Sequence, residues 1–272
     1  MGNYMAAIQQ ILGVPFFVGP VGEVIEKISR TGGFMVAPAA PAMVKLRYES
    51  ELYRHALTEA DLAIADSGLM VFLWKILKRQ SVTRISGLTY LEHLIKEPSF
   101  CERGKTVFVL PTEVAKERLL MWSCKEGLQI ATGDCYVAPR YGPTAEDRQL
   151  LAVIDNRHPA HVIIGIGNGP QEKLGHFLRQ QLPYRPAIHC VGAALGFLTG
   201  DQAPIPDWAD GFYLGWFFRL LAQPRIFIPR LVRALKLPWL IWKYGANLPP
   251  LLNVKLAGSK QETASIEKDS AD

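Results

Sequence analysis

The sequence of 272 residues lacks several features that would indicate a function class directly. Its four cysteines show neither CxxC spacing nor paired histidines, so the sequence indicates no zinc site and no disulfide framework, and a reducing compartment is expected. Beyond the first 22 residues, no apolar stretch of about 18 residues is free of charge, so no spanning helix is indicated. Those 22 residues carry no charge, but they lack the basic region of a signal peptide, and we interpret them as mature protein.

Acidic residues are absent from one long C-terminal segment. Between Gly211 and Gln261 there is no Asp or Glu, whereas eight Lys and Arg residues and three of the six tryptophans lie there. The aromatic residues alternate with Leu and Ile, which favours contact with an anionic membrane surface over nucleic-acid binding. Internal packing or an oligomer contact remains an alternative, so a homo-oligomer is left open.

What is present is a hydrophobic fraction of 49% arranged as alternating short apolar runs and amphipathic segments. The runs predict strands at 34–36, 62–65, 106–110, 128–131, 161–165 and 187–191. Helices are predicted at 21–30, 41–57, 68–78, 88–95, after 112, at 144–155 and at 171–181. This alternation predicts a doubly wound, Rossmann-like α/β fold with a mostly parallel sheet and helices on both faces. We expect this domain over 1–200, a basic helical membrane-association appendage over 201–254, and a disordered tail over 255–272.

A glycine-rich loop follows the most strand-like run. Gly165, Gly167 and Gly169 precede a predicted helix, where backbone N–H groups can approach a phosphate, although a tight turn alone would also need glycine. The spacing is GxGxG instead of GxGxxG, and no acidic residue lies between Leu182 and Leu195. A nicotinamide-dependent oxidoreductase is therefore disfavoured.

Two charged residues are candidates for the site, and Asp66 is expected in the same crevice as the glycine-rich loop. Asp66 ends a predicted buried strand and is placed to act as a general base, or alternatively as the N-cap of the helix near Gly68. Arg84 precedes another predicted helix and could hold a phosphate with both guanidinium nitrogens, or could simply lie on the surface. The histidines show no metal-binding spacing and are interpreted as structural or exposed.

The order of these motifs resembles the WecG/TagA/CpsF family of bacterial glycosyltransferases. The similar segments are Ala65-Asp66-Ser67-Gly68, Arg84-Ile85-Ser86-Gly87, Gly165-Ile166-Gly167 with Pro170-Gln171-Glu172-Lys173, Val191-Gly192-Ala193-Ala194, and Trp216-Phe217-Phe218-Arg219-Leu220 with Pro224 and Arg230. The resemblance extends from about Ile11 to about Tyr244.

The resemblance implies an inverting, metal-independent transferase without a cofactor. It would move a sugar from a UDP-sugar donor to a polyprenyl-diphosphate-linked sugar acceptor for surface polysaccharides, as a peripheral protein on the cytoplasmic face of the inner membrane. Asp66 then corresponds to the base and Arg84 to the donor clamp. The remaining residues expected to bind substrate are Ala39, Gly165, Gly167, Gly169, Gln171, Gly192, Arg219 and Arg230, the two arginines being in the appendage.

Some positions depart from the family pattern. The family's Thr-x-Asn is here Ala37-Pro38-Ala39, and its Phe-Asp-Phe is Leu195-Gly196-Phe197. These changes remove a hydroxyl, an amide and a carboxylate from the expected site. The alternative function is therefore a non-catalytic partner that binds a nucleotide sugar or lipid within a glycan-assembly complex.

Overall fold

A computed structural model describes residues 7–200, 228 and 231–252 of the chain. Within them, eight strands form one sheet in the order β1-β2-β4-β3-β8-β7-β5-β6. The strands are β1 (Ala7–Ile11), β2 (Val14–Val18), β3 (Gly33–Val36), β4 (Leu62–Ala63), β5 (Thr106–Leu110), β6 (Cys135–Val137), β7 (His161–Ile164) and β8 (Ala187–Cys190). The β1–β2 pair is antiparallel and every other pair is parallel.

Helices cover both faces of this sheet. They are α1 (Val21–Thr31), α2 (Ala40–Lys45), α3 (Glu51–Thr58), α4 (Gly68–Lys78), α5 (Gly87–Leu94), α6 (Pro98–Cys101), α7 (Glu113–Lys125), α8 (Arg148–Arg157), α9 (Pro170–Gln181), α10 (Ala194–Leu198) and α11 (Leu237–Tyr244). The predicted α/β class with a mostly parallel sheet is therefore confirmed.

The alternation of side chains along each strand divides the interior into two hydrophobic clusters. In β3, Phe34 and Val36 enter one cluster and Met35 enters the other, as expected from a side-chain period of two. The first cluster includes residues of α2, α3, α4, α8, α9 and α11. The second includes residues of α1, α5, α6, α7 and α10, so the chain winds helices onto opposite faces.

The N-terminal hairpin was not predicted from the sequence. Leu12 and Gly13 form its two-residue turn with φ angles of 50° and 84°, which is the left-handed geometry of a tight hairpin. Leucine at the first of these positions is unusual, so the turn does not match the residue patterns by which hairpin turns are predicted. The hairpin adds one antiparallel edge to an otherwise parallel sheet.

Two predicted elements differ from the structure. The helix expected over 41–57 is two helices, because the chain turns after α2 and the Ser50 hydroxyl accepts a hydrogen bond from the Tyr53 N–H at the start of α3. The strand expected over 128–131 is wrong. There the Asp134 carboxylate accepts the Ala131 N–H, and the strand that pairs with β5 begins only at Cys135.

Part of the predicted appendage packs into the main core. Leu237, Leu240 and Ile241 of α11 are fully buried in the first cluster. After this helix, the carbonyl of Gly245 accepts a hydrogen bond of 2.9 Å from the Leu12 N–H in the hairpin turn. Among the residues that the structure describes, no helix combines the length and apolar character needed to cross a bilayer. The boundary predicted at 200/201 stays a prediction.

Candidate functional site at the carboxyl ends of the strands

The connections that follow β3 and β8 leave the sheet on opposite faces. Strand β3 leads into α2 on one face, whereas the neighbouring β8 leads into α10 on the other. Diverging connections of this kind open a crevice at the carboxyl ends of the strands, where α/β proteins bind ligands. The loops after β3, β4, β7 and β8 border this crevice.

Asp66 lies in the loop that follows β4, and its carboxylate is fixed by a neighbouring helix. Its Oδ1 accepts a hydrogen bond of 2.9 Å from the N–H of Gly87, the first residue of α5. Ser67, and not Asp66, caps α4 by accepting the Met70 N–H. Asp66 is only partly buried, so its carboxylate is held in a defined position while remaining accessible.

Arg84 is adjacent to Asp66 in the folded chain. Ala65 and Arg84 form a parallel bridge outside the named strands, and the Arg84 Nε donates to the Asp66 carbonyl at 3.4 Å. The arginine is half-buried beside the start of α5. A carboxylate and a guanidinium group therefore share one side of the crevice.

The loop after β8 packs closely against Gly87, beside Asp66 and Arg84. A methyl group on Gly87 would lie 3.1 Å from the Ala194 Cβ and 3.4 Å from the Val191 carbonyl oxygen. The loop residue Gly192 has φ of 59°, which favours glycine. Asp66 and Gly192 thus border the same crevice.

Helix α5 is fixed to the sheet by a buried chain of hydrogen bonds. The Tyr90 hydroxyl lies 2.7 Å from Nδ1 of His189, whose Nε2 lies 3.1 Å from Nδ1 of His161. Ser99 completes the chain with its hydroxyl 2.8 Å from Nε2 of His161. Burial lowers the pKa of His161 to about 4 and that of His189 well below its usual value, so both imidazoles are neutral at neutral pH.

The glycine-rich loop after β7 lies on the other side of the β8 loop. A methyl group on Gly165 would come within 3.6 Å of the Gly192 carbonyl oxygen, and one on Gly167 would meet no atom of the described residues within 4 Å. Gly167 and Gly169 have φ of 98° and 106°, which side chains rarely adopt. Glycine is therefore required by the turn itself, and the open space beside Gly167 is where a ligand could approach the backbone.

The N-terminus of α9 already holds a carboxylate. Glu172 is fully buried, and its side chain accepts hydrogen bonds from the Gly169 N–H, the Asn168 side-chain amide and the Gln171 side-chain amide. Burial raises the pKa of Glu172 above its usual value, although these hydrogen bonds oppose the shift. A phosphate at the helix end itself would meet this carboxylate. The phosphate site expected here stays a prediction, with Gly167 as its most open position.

Gln171 lies beneath the β8 loop. Its side chain is buried, and its Nε2 would be 3.5 Å from a methyl group on Gly192. Among the residues that the structure describes, its Oε1 has no hydrogen-bond partner. Because an unsatisfied buried acceptor is costly, this atom is a candidate for a hydrogen bond with a donor near Gly192.

Three charged residues beside the glycine-rich loop had no role in the sequence analysis. The Lys45 Nζ donates to the Asn168 carbonyl at 3.3 Å and pairs with Glu49 at 3.1 Å. Lys173 pairs with the same carboxylate at 2.8 Å. Lys173 appeared only within a quoted motif, and no local signal marks Lys45, because α2 and α9 come together only in the folded chain.

The other predicted residues are placed as follows. Ala39 is the N-cap of α2 and lies in the loop after β3, which is the strand next to β8. Arg219 and Arg230 lie outside the described residues. Within the described ranges, no three His, Cys, Asp or Glu side chains are grouped as metal ligands.

Comparison with known proteins identifies two relatives and a family. Over 195 residues the chain is 22% identical to an N-acetylglucosaminyldiphosphoundecaprenol N-acetyl-beta-D-mannosaminyltransferase of Bacillus subtilis (strain 168), which covers 71% of this chain and 73% of that protein. It is 23% identical over 205 residues to the protein of the same name from Bacillus spizizenii, covering 72% and 74%. Residues 9–249 match the sequence model of the "Glycosyl transferase WecG/TagA/CpsF family", which confirms the resemblance seen in the motifs. The chain therefore belongs to the WecG/TagA/CpsF family of glycosyltransferases.

Proposed function

We propose that the protein transfers a hexosyl or N-acetylhexosaminyl unit from a UDP-sugar to a polyprenyl-diphosphate-linked sugar at the cytoplasmic face of the inner membrane. Membership of the family and the names of the two relatives support the reaction class and the lipid-linked acceptor. The observation that carries the proposal is the partly buried Asp66 carboxylate, held by Gly87 beside Arg84 and the β8 loop.

In the proposed reaction, a hydroxyl oxygen of the acceptor attacks the anomeric carbon of the donor sugar. The bond to UDP breaks on the opposite side, so the anomeric configuration inverts. Asp66 accepts the hydroxyl proton, and UDP leaves with the bonding electron pair. Arg84 would stabilise the negative charge that develops on the diphosphate, a role that a divalent metal fills in other enzymes. We therefore expect metal-independent transfer.

Gln171 and the glycine-rich loop would contact the donor in this scheme. Within the part of the chain that the structure describes, the Gln171 Oε1 has no partner and could accept a hydrogen bond from a sugar or ribose hydroxyl, and the backbone beside Gly167 leaves space for a phosphate. Arg219 and Arg230 are proposed to bind diphosphate or lipid from the C-terminal segment.

The test combines a panel of UDP-sugars with a short-chain polyprenyl-diphosphate-linked sugar and measures UDP release and the lipid product. We expect release with at least one UDP-sugar, only when acceptor is present, and unchanged by EDTA. UDP-sugar binding in a thermal-shift assay without any release across the panel would instead favour the non-catalytic partner, which the replacement of the family's Asn by Ala39 motivates.

A further inference from the structure

Helix α4 exposes large apolar side chains although it belongs to the core of the protein. Met70, Val71 and Trp74 are buried, but Phe72 is 55% exposed and Ile76 is 57% exposed. These two residues are four positions apart and therefore lie on one face of the helix. Lys75 and Arg79 lie on or beside that face.

A second exposed apolar surface lies next to this face. Helix α11 packs against α4, and the Lys78 ammonium group of α4 donates to the Trp242 carbonyl at 3.2 Å. The Trp242 side chain is 68% exposed, and Trp239 of the same helix is also exposed. Two neighbouring helices thus expose large apolar residues, Phe72 and Ile76 on α4 and Trp239 and Trp242 on α11, hereafter the α4–α11 face.

The two segments that form the α4–α11 face carry charges of one sign. No Asp or Glu occurs between Ser67 and Leu91, whereas Lys75, Lys78, Arg79 and Arg84 lie there. Residues 231–252 also contain no acidic residue. A protein partner or a second copy would need acidic groups to match these cations, whereas an anionic lipid surface offers negative headgroups above an apolar layer.

The exposed apolar residues of α7 show that this pattern is specific. Val114 is 53% exposed and Met121 is 59% exposed on α7, which packs on the opposite face of the sheet. There Glu113 and Glu117 are exposed beside them. Both helices therefore expose apolar side chains, but α4 carries only basic residues beside them, whereas α7 also carries acidic ones.

We propose that the α4–α11 face rests on anionic lipid, with Phe72 and Ile76 inserted among the headgroups. The inference deepens the proposed function, on which it rests. Helix α4 begins at Gly68, two residues after Asp66, and its 11 residues extend for about 16 Å. A lipid-bound α4 holds Asp66 at the membrane surface, where the diphosphate and sugar of a polyprenyl-linked acceptor lie. The helix thereby aligns the acceptor with the base without a spanning segment.

The experiment measures co-sedimentation of the full chain with vesicles, either of phosphatidylcholine alone or of equal parts phosphatidylglycerol and phosphatidylcholine. The test variant is Phe72→Ser/Ile76→Ser, and the matched control is Val114→Ser/Met121→Ser. We expect the wild type and the control to bind the anionic vesicles equally. The test variant should bind on the order of tenfold more weakly, because two large apolar side chains no longer enter the bilayer. Lys75→Glu, which leaves the apolar residues in place, should also weaken binding.

Transfer to a water-soluble short-chain acceptor separates this inference from the proposed function. Normal transfer in solution together with weaker vesicle binding of the test variant supports both. Weaker vesicle binding in a protein that transfers no sugar supports the membrane face and counts against the proposed activity. Unchanged vesicle binding of both the Phe72→Ser/Ile76→Ser and Lys75→Glu variants overturns the inference. So does a loss of self-association in sedimentation without any loss of vesicle binding, which would identify a contact between copies.

Discussion

Replacement of Asp66 by Asn separates a catalytic role of this residue from a structural one. The Asn side-chain oxygen can still accept the Gly87 N–H that Asp66 accepts at 2.9 Å, but the amide cannot take a proton from the acceptor hydroxyl. Loss of a general base lowers turnover by roughly 10²- to 10⁴-fold, which corresponds to about 3–5 kcal/mol of transition-state stabilisation.

The effect of the same substitution on folding should be small. It removes a negative charge from the N-terminus of α5, where such a charge contributes about 0.3–1 kcal/mol. For a protein of this size, we expect the melting temperature to fall by less than about 4 °C. Asp66→Ala also removes the hydrogen-bond acceptor, so it should destabilise the fold further, by about 1–3 kcal/mol.

The assay is single-turnover transfer from a labelled UDP-sugar to the short-chain acceptor, with thermal unfolding followed in parallel. If the role of Asp66 were purely structural, Asp66→Asn would retain activity, because the Asn side chain keeps the hydrogen bond to Gly87. An Asp66→Asn protein that retains more than half of wild-type turnover would therefore refute its assignment as the base.

Two further predictions concern stability. Glu172→Ala leaves the Gly169 N–H and the Asn168 amide without their buried acceptor. The free energy of unfolding, measured in urea, should therefore fall by about 2–4 kcal/mol. A loss below about 0.5 kcal/mol would contradict the role given to Glu172. Folding lowers the pKa of His161 from 6.5 to about 4, so between these values the folded protein binds fewer protons than the unfolded chain. The stabilisation that is present above pH 6.5 is therefore lost as the pH falls towards 4. For this residue the loss in the free energy of unfolding is on the order of 3 kcal/mol. Urea unfolding from pH 7 to pH 4 should show a flatter dependence for His161→Gln, and equal slopes for both proteins would rule out this account.

Much of the fold was predictable because its signals are local. Strands such as β5 and β7 are continuous apolar runs, and α1 has amphipathic spacing that ends at Gly32, so their positions follow from burial on one or two faces. The hairpin turn at Leu12 was missed because leucine rarely adopts a positive φ. The strand at Cys135–Val137 was misplaced because it is short and only partly buried, which leaves little pattern to read.

The sequence by itself determined the α/β class, the family motifs, and the position of Asp66 and the glycine-rich loop at one edge of the sheet. These follow from short-range patterns and from the rule that parallel strands end at a common edge. The tertiary structure alone decided that Gly87 holds the Asp66 carboxylate, that Glu172 occupies the N-terminus of α9, and that Lys45 reaches the glycine-rich loop. The reason is physical: each of these contacts joins groups through the packing of separate elements or the exact path of a turn, and no local periodicity encodes which polar groups then meet.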